Sequence, residues 1–235
     1  MPYEAQINNV TSNSFDINFI EHGSATEWIV YTNGIANTIS SNPATITDLA
    51  PATNYTIYLT SSCGQSTESK PFYCGSIRTE CGIAPLPWST SFEQSEEYKS
   101  VSFREGELEE KCWLTYDVRN NGESYPYYYM STEYAVTGQQ SLLLYNNATS
   151  ASDKMYIVLP EMAGASNNLH WKFHYLNSSA SSPSLEVGYL TVPSNKNSFV
   201  LVRSLPNVDN WTAVDVFTSS IPSIPSTARL ALRAS

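Results

Sequence analysis

The stretch ITDLAPATNYTIYLTSSCG, residues 46–64, decides how this chain is read. Tyr55, Ile57 and Leu59 alternate with Thr56, Tyr58 and Thr60, so an extended backbone turns one row toward a core and the other toward water. Pro51 ahead of the run sets a tight turn, and Cys63 stands where the alternation stops. The neighbouring segments repeat the pattern. SFDINF at 14–19 sets Phe15, Ile17 and Phe19 on one face, and EWIVYT at 27–32 sets Trp28 and Val30 opposite Ile29 and Tyr31. TNG at 32–34 supplies residues that tolerate the positive φ of a tight hairpin. The first 79 residues are a run of short strands cut by turns, the pattern of a β-sandwich.

In that setting a Leu, a turn with Pro and a Tyr two residues before an Ile resemble the E-to-F corner of a fibronectin type III domain. The resemblance covers residues 3–79. It implies that Leu49 is core and that the Tyr55 hydroxyl bonds back to backbone near the turn, closing a corner between two sheets. The chain departs from the pattern in the second strand, where Phe19 replaces the usual core Trp and Trp28 is the candidate to compensate. No Arg-Gly-Asp triplet is present.

The totals agree with an all-β reading. Of 235 residues, 12% are aromatic, 16 of them Tyr, and 14% are charged, so the chain lacks the residues from which helices are built. A net charge of −10 repels a phosphate backbone, which argues against nucleic acid as a partner. The acidic residues concentrate at 93–110, with seven Glu against Lys99 and Arg104, and this segment reads as a solvated loop. No apolar run is long enough to insert in a membrane, and no leader pattern opens the chain. Four Cys, at 63, 74, 81 and 112, allow three pairings. Their places along the chain favour Cys63 with Cys74 and Cys81 with Cys112, without excluding the others, and disulfides would imply an oxidising, exported setting.

ECGIAPLP at 80–87 reads as a short stiff linker, with domains at 1–79 and 88–235. Beyond it, QQSLLLYN, KMYIVLP, LHWKFHYL, SLEVGYLT, SFVLVRSL, WTAVDVF and ARLALRA are apolar or alternating segments bounded by Ser, Asn, Pro or Gly. So many strands without helical periodicity suggest a two-sheet jelly roll, giving a sandwich plus jelly-roll architecture overall. LPWSTSFEQ, then Cys112-Trp113, GQQSLLLYNN, LEVGYLTVPSNKNSFVLVRSL and NWTAVDVF are similar to the MAM-like jelly rolls of exported bacterial surface proteins, the cleaved-adhesin and choice-of-anchor J group. By that resemblance a last strand would follow RLALRAS, making the chain a fragment of a larger protein. Jelly rolls of the galactose-binding type hold a structural Ca2+ near the first strand, which makes Glu93 the candidate ligand.

Few residues offer chemistry. His170 and His174 would share a zinc on a helix, but LHWKFH alternates as a strand does, which sets them about 13 Å apart. No nucleophile elbow or phosphate loop occurs. A glycosidase would need two carboxylates about 5–9.5 Å apart, for which Glu186 and Asp215 are the candidates on predicted strands. The aromatic run SYPYYYMSTEY at 124–134 is the binding candidate: Tyr127, Tyr128 and Tyr129 offer flat amphipathic rings suited to a glycan or a protein, unless alternate Tyr fill the core. The expectation is a secreted or cell-surface, non-catalytic adhesin-type module that contacts a glycan or an extracellular protein. The alternative is an accessory region of a larger exported protease or glycoside hydrolase.

Overall fold

The computed structural model describes residues 2–62, 67–96, 98, 107–118, 126–146, 153–178 and 184–234. Contacts divide the chain into two compact units, Met1–Gly82 and Ile83–Ser235. Both are all-β; among the described residues the helical elements are single 3-10 turns, and no helix is long and apolar enough to cross a membrane.

The first unit has β1 (Pro2–Asn8), β2 (Phe15–Glu21), β3 (Trp28–Thr32), β4 (Ile35–Ile39), β5 (Ala44–Ile46), β6 (Asn54–Ser61) and β7 (Phe72–Arg78). A β1-β2-β5 sheet faces a β4-β3-β6-β7 sheet, a fibronectin type III-like sandwich. The period-2 rows named above form its core: Phe15, Ile17, Val30, Ile57 and Leu59 have no exposed surface. Each such side chain contributes on the order of 1.5–3 kcal/mol by burial. Phe19 and Trp28 meet edge to face at 5.2 Å, so the Trp of the third strand fills the space left in the second. Its indole N–H donates to Glu21 Oε2 at 2.9 Å. Leu49 is buried, and the Tyr55 hydroxyl accepts the Ala50 N–H at 2.8 Å, which closes the corner ahead of β6.

Cys81 and Cys112 form a disulfide. The suggested Cys63–Cys74 bond is corrected by the structure, in which Cys74 carries a free thiol; Cys63 lies outside the described residues. The physical reason is a β-bulge. Ile57 faces Gly75 and Tyr58 faces Tyr73, so Cys74 is an extra residue in β7, and its side chain packs against the core cluster. Burial pushes the Cys74 thiol up to about 11. At pH 8 its alkylation by iodoacetamide, followed by peptide mapping, is expected to run about a hundredfold slower than that of free cysteine.

The second unit has β8 (Leu114–Val118), β9 (Tyr127–Ser131), β10 (Ser141–Tyr145), β11 (Lys154–Val158), β12 (His170–Asn177), β13 (Leu185–Leu190), β14 (Phe199–Leu205), β15 (Val208–Phe217) and β16 (Arg229–Ala234). An antiparallel sheet in the order β14-β13-β16-β11-β8 forms one layer, and two antiparallel pairs, β9-β10 and β12-β15, pack on it. Tyr128 and Met130 of β9 join Met155, Ile157, Tyr189 and Leu230 in one cluster, while Val214 and Val216 of β15 join Val187 and Leu205 in another. Segment 80–87 is tied down at both ends. Glu80 exchanges hydrogen bonds with Ala52 and Thr11, and Ala84 with Glu161 and Ala163.

The breaks in register put their extra residues on outermost strands: at Glu4–Ala5 in β1, at Cys74 in β7, at Val202 in β14 and at Asp209–Trp211 in β15. Gly188 sits beside the Val202 bulge, and a Cβ there would fall 2.3 Å from the Val200 carbonyl oxygen and against the Phe199 ring. Only glycine fits a backbone approached so closely.

Candidate functional site

The tyrosine run divides by the two-residue period of β9. Tyr128 points inward, is 4% exposed, and donates its hydroxyl to Glu109 Oε2 at 2.9 Å, so it belongs to the core and not, as expected, to a contact face. Tyr127 and Tyr129 lie on the other face, their rings 6.1 Å apart. Register places Tyr145 of β10 opposite Tyr127, and these two rings stack at 5.0 Å with 24° between planes. The β9-β10 pair therefore carries three adjoining Tyr rings outside and Tyr128, Met130, Leu142 and Leu144 inside. Burial, then the negative charge of Glu133, raise the pKa of Tyr129, which stays a neutral hydroxyl across the physiological range. Flat rings with hydroxyl handles can stack on the apolar face of a sugar and bond its hydroxyls.

Beside this face opens a cavity of about 660 Å3. Its floor includes Trp113, Leu159 and Leu232, and its sides are the whole of β10 and β12. Lys172, His170 and His174 stand on its border, and none of its lining residues is acidic.

The other candidates take structural places. Glu93 Oε1 accepts the N–H groups of Gln139 (2.9 Å) and Gln140 (3.2 Å), and Gly138, at φ +72°, leaves it the room to do so. Amide donors aimed at that oxygen oppose a cation, and among the described residues no three His, Cys, Asp or Glu side chains cluster as metal ligands. The surroundings of Glu93 do not fit a calcium ion. Glu96 and Glu109 likewise bond to Thr90 and Ser91 and to Thr115 and Tyr128, so these members of the acidic segment pin loops.

His170 and His174 lie on strand β12. His170 stacks on Phe217 at 4.1 Å and bonds Asp215 at 2.7 Å. Asp215 faces outward from β15, since its neighbours Val214 and Val216 are buried. Glu186 faces outward from β13, on the opposite layer, where Arg233 donates to it. The core lies between these two carboxylates, so they cannot flank one glycosidic bond.

Tyr145 and the cavity escaped the reading of the sequence. Tyr145 ends a Leu run, and only the β9-β10 register brings it to Tyr127. The cavity depends on which strands pair, and no local pattern encodes that.

No family model and no curated protein matches the chain. Solved structures that superpose on it include the chitinase ChiA74 from Bacillus thuringiensis (12% identity, 99% of this chain and 26% of that one, TM-score 0.30). A two-domain fibronectin type III segment of chicken tenascin (11%, 98% and 81%, 0.29) and the chicken CNTN1 FN1–FN3 domains (9%, 98% and 90%, 0.32) do so as well. The chain spans about a quarter of the chitinase's length. At these identities and TM-scores the likenesses do not bear on function.

Proposed function

We propose that the chain is a non-catalytic binding module of an exported surface protein, in which the fibronectin type III-like unit is a spacer and the second unit contacts a glycan. The second unit is read as a MAM-like jelly roll of the cleaved-adhesin or choice-of-anchor J kind. One observation carries the glycan reading: the adjoining rings of Tyr127, Tyr129 and Tyr145 on one outward face. The Cys81–Cys112 disulfide supports an oxidising, extracellular setting.

Calorimetric titration with a panel of neutral oligosaccharides tests this. Tyr145→Ala, at a residue 37% exposed, is expected to weaken binding about tenfold while the unfolding transition stays in place. Binding to matrix proteins that ignores the Tyr145 change, with no sugar bound, would overturn the glycan reading.

A further inference from the structure

The outermost strands of the first unit are not guarded alike. β1 and β7 are crimped by bulges and β5 has only three residues, but the five residues of β4 keep register with β3 throughout. Edge strands of soluble proteins commonly carry a charge, a Pro or a bulge that discourages pairing. β4 carries none of these, and residues 28–47 hold no charged side chain, in a chain of net charge −10. Glu68 reaches this sheet at Tyr31, one strand in from the rim, where the Tyr31 and Thr60 hydroxyls both donate to it. On β4 itself Ala36 and Thr38 are exposed, and Ile35 is 67% exposed.

The turn before β4 tells which of its amides are idle. Asn33 and Gly34, at φ 49° and 85°, make the two-residue turn of the β3-β4 hairpin. The pair that closes such a turn, Thr32 with Ile35, exchanges both main-chain bonds, and alternation carries this to Val30–Asn37 and Trp28–Ile39. The Asn33 N–H, donated to the Thr56 carbonyl on the far side of β3, fixes the same phase. The N–H and C=O groups of Ala36 and Thr38 therefore point away from β3, and among the described residues no strand pairs with β4 on that side.

We infer that β4 pairs antiparallel with β4 of a second copy of this chain, about a two-fold axis at Asn37. That register sets Ala36 opposite the partner's Thr38, and Thr38 opposite the partner's Ala36, so each pair exchanges two main-chain bonds through the idle groups. On the core-facing side of the sheet Ile35 meets the partner's Ile39, in the closer, non-hydrogen-bonded kind of pair, and its exposed side chain is covered. The strand is its own complement, and no other sequence is needed to fill the rim. Two copies that each carry −10 repel over most of their surface, and this charge-free rim is where they can meet. The contact lies in the unit read as a spacer and does not rest on the glycan reading.

The test is sedimentation velocity of the full 235-residue chain from about 10 µM to about 1 mM, with amide exchange at both concentrations. The expected result is a reversible monomer–dimer equilibrium. Exchange at Ala36 and Thr38 should slow by roughly threefold or more at the higher concentration, while Ile35, Asn37 and Ile39, already bonded to β3, stay unchanged. Asn37→Lys and Asn37→Asp each set like charges against each other at the axis and should weaken dimerisation by roughly tenfold. An equal mixture of the two should restore it, because opposite charges then meet. Ala36→Pro removes an idle N–H without touching the β3 ladder and should abolish the dimer. A chain still monomeric at the higher concentration would overturn the proposal and leave the rim to another polypeptide. So would a dimer with unchanged exchange at Ala36 and Thr38, or a mixture of folded Asn37 variants that stays monomeric. The exchange pattern of the unaltered chain decides the matter even where a variant does not fold.

Discussion

Replacing Glu186 by Ala is expected to destabilise the second unit by about 3–5 kcal/mol. With a urea m-value of roughly 2 kcal/mol/M, the denaturation midpoint falls by about 2 M. Glu186 is 8% exposed, and its carboxylate accepts a hydrogen bond from the Arg233 Nε. The Arg233 guanidinium also lies 4.3 Å above the Phe199 ring and 5.8 Å from that of Tyr156. Burial works against its charge, but the hydrogen bonds and negative charge of Glu186 and, after it, Tyr156 outweigh burial and raise the Arg233 pKa. Without Glu186 the half-buried cation keeps two aromatic faces and Tyr156 but loses its carboxylate, which is why truncating one partner costs more than the pair contributes. The double change Glu186→Leu with Arg233→Met should therefore recover most of the loss. A double change as unstable as Glu186→Ala would show that the ion pair is not the cause.

Trp113→Ala is expected to cost the same unit about 3–5 kcal/mol, read by chemical denaturation and by loss of near-ultraviolet dichroism. Trp113 is 5% exposed, meets Trp88 and Phe92 at 5.7 Å each, and donates its indole N–H to the Tyr98 hydroxyl at 3.2 Å. Truncation leaves a cavity the sheets cannot close and a buried hydroxyl without its donor. Trp113→Phe keeps most of the volume and should cost about 1–2 kcal/mol, mainly through the lost hydrogen bond. Trp88→Ala should cost less than Trp113→Ala, because Trp88 is only partly buried against that cluster. Equal losses from the two alanine changes would remove Trp113 from the centre of the core.

Much of the fold was legible because it is written locally. The inward row Phe15, Ile17 and Phe19, the row Tyr55, Ile57 and Leu59, and the strand character of His170–Tyr175 all follow from a period of two. The same period contained the answer for the tyrosine run, since it sends Tyr128 to the core and leaves Tyr127 and Tyr129 outside. What could not be read is what depends on pairing. The β8 strand, LTYDV at 114–118, has little alternation and gains its place from β11. Cys74 reads as a strand residue near a hairpin, and only the bulge turns its thiol inward. Glu93 looks like a ligand until the backbone of Gln139 and Gln140 arrives from 46 residues away. Glu186 and Asp215 look like partners until the layers put the core between them.

The bulges on the outermost strands have a consequence beyond geometry. A straight sheet rim with idle amides invites a second chain to zip onto it, and crowded chains then grow into cross-β ribbons. Glu4–Ala5, Cys74, Val202 and Asp209–Trp211 crimp four such rims, so two molecules pressed together there cannot align their amides over a useful length. Straightening one of them, for instance by deleting Val202, would trade a local irregularity for a tendency to aggregate.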